Sequence, residues 1–249
     1  MNKALKSPRR PKSSKGKRIV LIFFFAIIFS SPIFAETGKT DYSTGISTES
    51  AQTALNEVLQ KMDSADSKVA NISFSFSQEI LIAVSQEKST ITGKATFKKP
   101  DLFRIEHANP EKQTVVSDGK KVYFYQPDFD QVMIEDWGSL SEKGNFPKGL
   151  FNFSSTISEL RKDYDISIST NDETDKYYVL LLTLKKEPKG TKIKLWISKN
   201  TYLCEKTEMS SETVISTVIL SDIKINKEIK DSLFRFKIPR GAQIISSPF

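Results

Sequence analysis

Cysteine and histidine are almost missing from this 249-residue chain: one Cys, at 204, and one His, at 107. A lone Cys excludes an internal disulfide, and one Cys with one His is too little for a zinc site. A Ser-His-Asp triad would have to run through His107, which sits in an alternating Ile105-Glu106-His107 stretch. A phosphate-cradling glycine loop and a nucleophile elbow are absent too. The acidic stretches Asp128/Asp130 and Asp172/Glu173/Asp175 fit solvated turns or weak calcium binding. Glycosidase-type carboxylate pairs stay open, but nothing in the pattern singles one out. Cys204 reads either as a buried, inert thiol or as a reactive one.

A run of bilayer length is missing as well. Residues 19–29 form an unbroken apolar run of eleven, short of the roughly 20 a spanning helix needs. Eight Lys/Arg and no acid precede it in residues 1–18, and Ala35 closes the segment before Glu36. Basic start, short apolar run and small residue describe a cleavable secretory leader over residues 1–35; an uncleaved anchor is the alternative. Without a Cys after the run, the chain is not itself a bacterial-type lipoprotein. Removing the leader takes Lys plus Arg from 37 to 29, against 30 Asp plus Glu. The basic surplus therefore belongs to the leader and does not signal nucleic-acid binding.

What is present is β-pattern and phenylalanine. Residues 36–49 are rich in Thr, Ser and Gly and read as a flexible lead-in to one domain over residues 50–249. Leu55, Val58, Leu59 and Met62 mark an amphipathic helix within residues 50–68. From Asn71 the period becomes two, with Ile72, Phe74, Phe76, Ile80 and Ile82 on one face. In the next strand Ile91, Gly93, Ala95 and Phe97 share a side, and the small pair leaves room for a bulky neighbour, a bend or a ligand. Apolar runs at 91–97, 102–105 and 122–125 alternate with the turn dipeptides Pro100-Asp101, Asn109-Pro110 and Asp118-Gly119, which makes an antiparallel meander. Residues 122–125 are apolar on both faces, so that strand is central or touches a ligand. Residues 136–153 form a long loop holding Trp137, Phe146, Leu150, Phe151 and Phe153. Thr156 and Glu159 suit a capping box. Further strands are predicted at 164–169, 177–184, 191–198, 202–209 and 213–225, then a turn at 229–233 and a last strand at 234–238. The seventeen Phe either fill an ordinary core or line a cavity under a helix and a loop.

Four ordered pieces carry a resemblance. Gly93, Lys99-Pro100 and Leu102-Phe103-Arg104 come first; then Pro110, Gln113, Ser117-Asp118-Gly119, Tyr125, Pro127 and Gln131-Val132; upstream lies residues 72–78, and at the end Asn226 with residues 234–241. Together they resemble the periplasmic outer-membrane lipoprotein carrier family, LolA, over about residues 50–245. The resemblance implies a mainly β (α+β) fold: an incomplete, strongly curved antiparallel β-barrel with a helical lid over an apolar cavity. It implies a carrier that shields the acyl chains of triacylated lipoproteins, taking them from an inner-membrane ABC transporter complex to an outer-membrane acceptor. It implies a periplasmic monomer that is not an enzyme, with no cofactor and no metal. The lipid-binding positions it implies are Leu55, Leu59, Phe74, Phe76, Phe97, Phe103, Ile105, Phe146, Leu150 and Phe151. Lys99 stands where well-known members have an Arg that latches the lid through backbone carbonyls; Lys keeps the charge and loses the planar fork. The segment 208–213 lacks the glycine of the family's usual hairpin there, and the long basic leader is atypical. Alternatives are a lipid-binding sensor module on the same fold and a secreted hydrolase.

Overall fold

The computed structural model describes residues 48–142, 161–162, 164–185 and 190–245. The leader, the lead-in, the capping box and the loop positions Phe146, Leu150 and Phe151 lie outside the described residues. Helix α1 (Thr48–Ser67) opens the described chain and is followed by strands β1 (Asn71–Ile82), β2 (Glu87–Lys98), β3 (Leu102–Asn109), β4 (Gln113–Asp118), β5 (Lys121–Gln126) and β6 (Gln131–Asp136). A short helix α2 (Trp137–Glu142) comes next, then β7 (Tyr164–Ser169), β8 (Tyr177–Leu184), β9 (Lys192–Ser198), β10 (Cys204–Ser210), β11 (Val214–Ile225) and β12 (Gln243–Ile245). The twelve strands make one open sheet in the order β12-β6-β5-β4-β3-β2-β1-β11-β10-β9-β8-β7. Every pairing is antiparallel except β12 with β6, which is parallel. Among the described residues no helix is long and apolar enough to cross a membrane.

β1 is the spine. It is twelve residues long and pairs with β2 on one side and β11 on the other, each also twelve residues. Opposite residues of paired strands share a face, so the register can be followed across the sheet. Phe76 faces Gly93 on one side and Leu220 on the other; Phe97 faces Phe103, Ile105 faces Val115, and Val115 faces Phe124. On the other wing Thr207 faces Leu195, Leu195 faces Leu180, and Leu180 faces Ile168. One face therefore stays mainly apolar from edge to edge.

The small pair on β2 makes room for a bulky neighbour. A Cβ on Gly93 would meet the Glu106 carbonyl oxygen and sit 2.5 Å from the Phe76 ring. The Asp-Gly hairpin forms as its sequence requires: Gly119 takes φ +86°, and Asp118 Oδ1 accepts the Lys120 and Lys121 amides at 2.9 and 2.8 Å. The double-sided apolarity of β5 is also explained within the chain. Val122 and Phe124 point to the apolar face, while Tyr123 and Tyr125 on the outer face lie against Phe236, ring centroids 5.4 and 5.7 Å apart.

Two sequence expectations are corrected. The loop expected from residue 136 begins with helix α2, whose Leu140 is buried and whose Trp137 packs on the β-meander. The strand expected at 234–238 does not form. A 3-10 turn (Asp231–Phe234) precedes an extended segment that crosses the outer face, where Phe234 is buried and Phe236 stacks on β5. Pro239 has no N–H to give a ladder. The last pairing is made further on, by β12 against β6. Strands β4 and β6 went unmarked, because their short apolar runs merge with the adjoining turns.

Gly93→Ala should lower the unfolding free energy by about 3 kcal/mol, since a Cβ there would force the Glu106 backbone oxygen or the Phe76 ring to shift. Urea denaturation of the variant against the parent protein measures this; an unchanged midpoint would refute the contact.

Candidate functional site

The apolar face holds two clusters. The first joins Phe76, Ile91, Ala95, Phe97, Phe103 and Ile105 with Val115, Val122, Phe124, Met133 and Leu140. Its aromatics meet edge and face: Phe74 with Phe97 at 5.8 Å, Phe97 with Phe103 at 6.0 Å, and Phe103 with Trp137 at 5.6 Å between centroids. The geometry suits aromatic packing. The second cluster joins Leu55, Val58, Leu59 and Met62 of α1 to Tyr164, Leu180, Leu182, Ile197 and Cys204. Phe74, Phe76, Phe97, Phe103 and Ile105 are thus brought together in the first, while Leu55 and Leu59 lie in the second, where α1 covers β7 to β9. The same face serves both, because the register carries it through β1 and β11. Phe74 is half-buried and the other four of its group are buried.

α1 is tied to the meander at its C-terminal end. Lys99, on the turn between β2 and β3, donates from Nζ to the Asp66 carbonyl oxygen at 2.8 Å and to Asp66 Oδ2 at 2.9 Å. Asp66 is 2% exposed. Lys99 also donates its amide to the Ala70 carbonyl at 3.0 Å. Asn226 completes the junction. Its Oδ1 accepts the Ala70 and Asn71 amides at 2.7 and 3.3 Å, and its Nδ2 donates to the Lys68 carbonyl at 2.7 Å. Asn226 has φ +54°, a conformation Asn tolerates better than most residues. Two of these partners were missed in the sequence, yet one left a signal. Asp63 and Asp66 sit near the negative end of the helix dipole, and the last turn carries no basic residue. A buried carboxylate there requires a cation from elsewhere.

The residues that might have carried chemistry are otherwise engaged. His107 is half-buried on the apolar face, edge-on to Phe76 at 5.6 Å, and burial lowers its pKa. Cys204 is buried, which raises its thiol pKa to about 11, and its Sγ lies 3.3 Å from the Lys206 carbonyl. That is the inert alternative. In the second acidic turn Asp172 is held by Lys194 at 3.1 Å and Glu173 by Lys199 at 2.6 Å. Among the described residues no three His, Cys, Asp or Glu side chains converge on one point.

An open curved β-sheet with one continuous apolar face, bridged by a helix across one wing, is the architecture of a protein that holds apolar surface out of water. The chain belongs to the family of the outer membrane lipoprotein carrier protein LolA, whose sequence pattern it matches over residues 67–237. It is 32% identical to the outer-membrane lipoprotein carrier protein of Pseudomonas putida strain W619, over 75% of this chain and 85% of that one. It is 28% identical to the carrier of the same name in Legionella pneumophila strain Corby, over 90% of this chain and 98% of the relative. A crystal structure of a LolA-superfamily protein from Nitrosomonas europaea aligns with a TM-score of 0.40 at 16% identity, covering 73% of this chain and 97% of that one. The family is one of carriers and not of enzymes.

Removing the Lys99 charge leaves Asp66 buried without it. Lys99→Met should cost about 2 kcal/mol, below the range for a fully buried pair because Lys99 is partly solvated. In a double-mutant cycle with Asp66→Asn the two losses should be less than additive by about 1 kcal/mol; additive losses would show that the bond contributes nothing.

Asp63 behaves oppositely. Burial, followed by the Asp66 charge, raises its carboxyl above the usual range, partly offset by Arg161. Its ionised form therefore opposes folding above that raised pKa, and the cost disappears as the pH falls through it. Asp63→Asn should stabilise the protein at neutral pH and leave its stability unchanged near pH 3. Thermal melts at both pH values check the sign.

Proposed function

We propose that this protein is a periplasmic carrier that shields the acyl chains of lipoproteins and moves them from the inner to the outer membrane. The continuous apolar face of the sheet is the observation that carries the reading. An acyl chain in water costs on the order of 0.8 kcal/mol per methylene, so a triacylated cargo cannot cross an aqueous compartment unshielded. A carrier needs apolar area, a cover that yields, and no reacting group. Phe74, Phe76, Phe97, Phe103 and Ile105 supply the area in this reading, with Leu55 and Leu59 contributed by α1; Phe146, Leu150 and Phe151, outside the described residues, are the further positions the family resemblance implies. Because most of the wall is already packed, loading requires α1 to shift and lets acyl chains replace side-chain contacts. Lys99 then acts as a latch. Its bonds to Asp66 hold the end of α1 against the meander, and a compact ammonium releases more readily than a bidentate guanidinium would.

The family name and the motif pieces support lipoproteins as cargo. In the same reading an inner-membrane transporter hands the cargo over, an outer-membrane acceptor takes it, residues 1–35 serve as the export leader, and the carrier is a monomer that performs no catalysis.

Depletion of the protein followed by membrane fractionation tests the assignment. Outer-membrane lipoproteins should accumulate in the inner membrane. Mass spectrometry of the purified protein should find acylated molecules bound, and Phe74→Glu should reduce uptake of a fluorescent acyl probe by at least tenfold while leaving the circular dichroism intact. Normal sorting in depleted cells would sink the lipoprotein assignment.

A further inference from the structure

The segment that crosses the outer face is built unlike the rest of the surface. Residues 233–245 read LFRFKIPRGAQII and hold three cations, Arg235, Lys237 and Arg240, with no acid. All three cations are exposed. Inward-pointing Phe234 and Phe236 seat the segment against β3 to β5, so its outer side is held in place. That outer side also presents apolar groups. Among the described residues seven large hydrophobics are exposed, and three of them, Leu233 at 37%, Ile238 at 41% and Ile244 at 62%, belong to this strap. A fourth, Phe129 at 43%, lies on the turn beside it, where the Gln243 amide donates to the Asp130 carbonyl at 2.7 Å. On β12 the register separates Ile245, which packs with the first cluster, from Ile244 on the outer side.

Two of the flanking carboxylates already have partners. Asp231 pairs with Lys98 at 2.5 Å, and Glu106 takes Arg104 at 2.7 Å. Asp128 and Asp130 sit on the neighbouring turn and bound the patch at that end. At the other end a groove of ≈ 530 Å³ runs between Arg104 on β3 and Lys230, with Glu228 also in its wall.

We propose that this strap is a docking surface for anionic phospholipid bilayers. Exposed cations interleaved with exposed aliphatic groups are the composition that holds a protein reversibly at a negatively charged membrane surface: the charges draw it to the headgroups, and the aliphatic tips enter the interface. Neutral lipid satisfies the second requirement alone. An acidic protein would satisfy the first but leaves the isolated aliphatic groups unmatched. The contact lies on the sheet face opposite the apolar clusters, so it leaves the acyl-holding face free and does not depend on what that face carries.

Flotation with large unilamellar vesicles tests this on the purified protein, processed as the cell leaves it. Vesicles of phosphatidylglycerol and phosphatidylcholine should retain the protein and pure phosphatidylcholine should not. Retention should fall as salt rises from about 50 to about 500 mM. The triple variant Arg235→Gln, Lys237→Gln, Arg240→Gln should lose affinity on the order of a hundredfold, about fivefold per cation, and Ile244→Ser should lose less. The altered side chains are exposed, so thermal stability and acyl-probe uptake should stay at the parent level in all variants. The proposal is overturned by equal binding to both vesicle types, by binding to neither, or by a triple variant that still floats with the anionic vesicles. Capture by an acidic protein without vesicle binding overturns it too.

Discussion

Phe76 lies over Gly93, and this contact sets the register on which the sheet depends. β1 is the central strand of the long trio, and its pairing decides which face every flanking strand turns inward. A slip of one residue would send Phe74, Phe76 and Ile80 to the solvent side and bring Ser73, Ser75 and Ser77 to the apolar one. Only a residue without a Cβ lets the Phe76 ring approach the backbone this closely. From that fixed point the alternation passes through β2, β3, β4 and β5 on one wing and through β11, β10, β9 and β8 on the other. The apolar face is thus a property of the pairing and not of one strand.

A second constraint works at the helix end. The apolar stripe of α1 draws it onto β7 to β9, but burial alone leaves a helix free to slide along an aliphatic wall. Asp66, Lys99 and Asn226 remove that freedom. They join the last turn of α1 to the β2–β3 turn and to the end of β11, three points far apart in the chain. The bonds are charged or bidentate and directional, whereas the contacts beneath α1 are not. Lys99 is partly solvated, while its partner Asp66 is buried.

The two faces of the sheet divide the work. Inside, polar groups are few and committed: His107 lies against Phe76, and Cys204 is packed away with its thiol protonated. Outside, the strap over β5 covers tyrosines that would otherwise be exposed and turns cations toward the solvent. A carrier fold can handle apolar cargo on one side and meet a charged surface on the other because a β-strand presents its two sides independently.

The local order was legible in the amino-acid sequence. Helix α1 was marked by Leu55, Val58, Leu59 and Met62, β1 by strict alternation, and the hairpin after β4 by Asp118-Gly119. All three are encoded within a few residues, where periodicity and turn chemistry act directly. The family pattern was legible too, because its pieces recur in order. What the sequence left open involved partners distant in the chain: which bulky group fills the space at Gly93, what covers Tyr123 and Tyr125, and which acid answers Lys99. Residues 234–238 carry a strand-like pattern and still form no strand, because Phe236 found rings on β5 to stack on and Pro239 offers no amide. Sequence by itself determined helix α1, the long strands and their inward-facing side chains. Tertiary structure decided that Leu55 and Leu59 pack in a different cluster from Phe97 and Phe103, and that Lys99 meets Asp66. Both follow from the curvature and register of a twelve-stranded sheet, which no single stretch of chain contains.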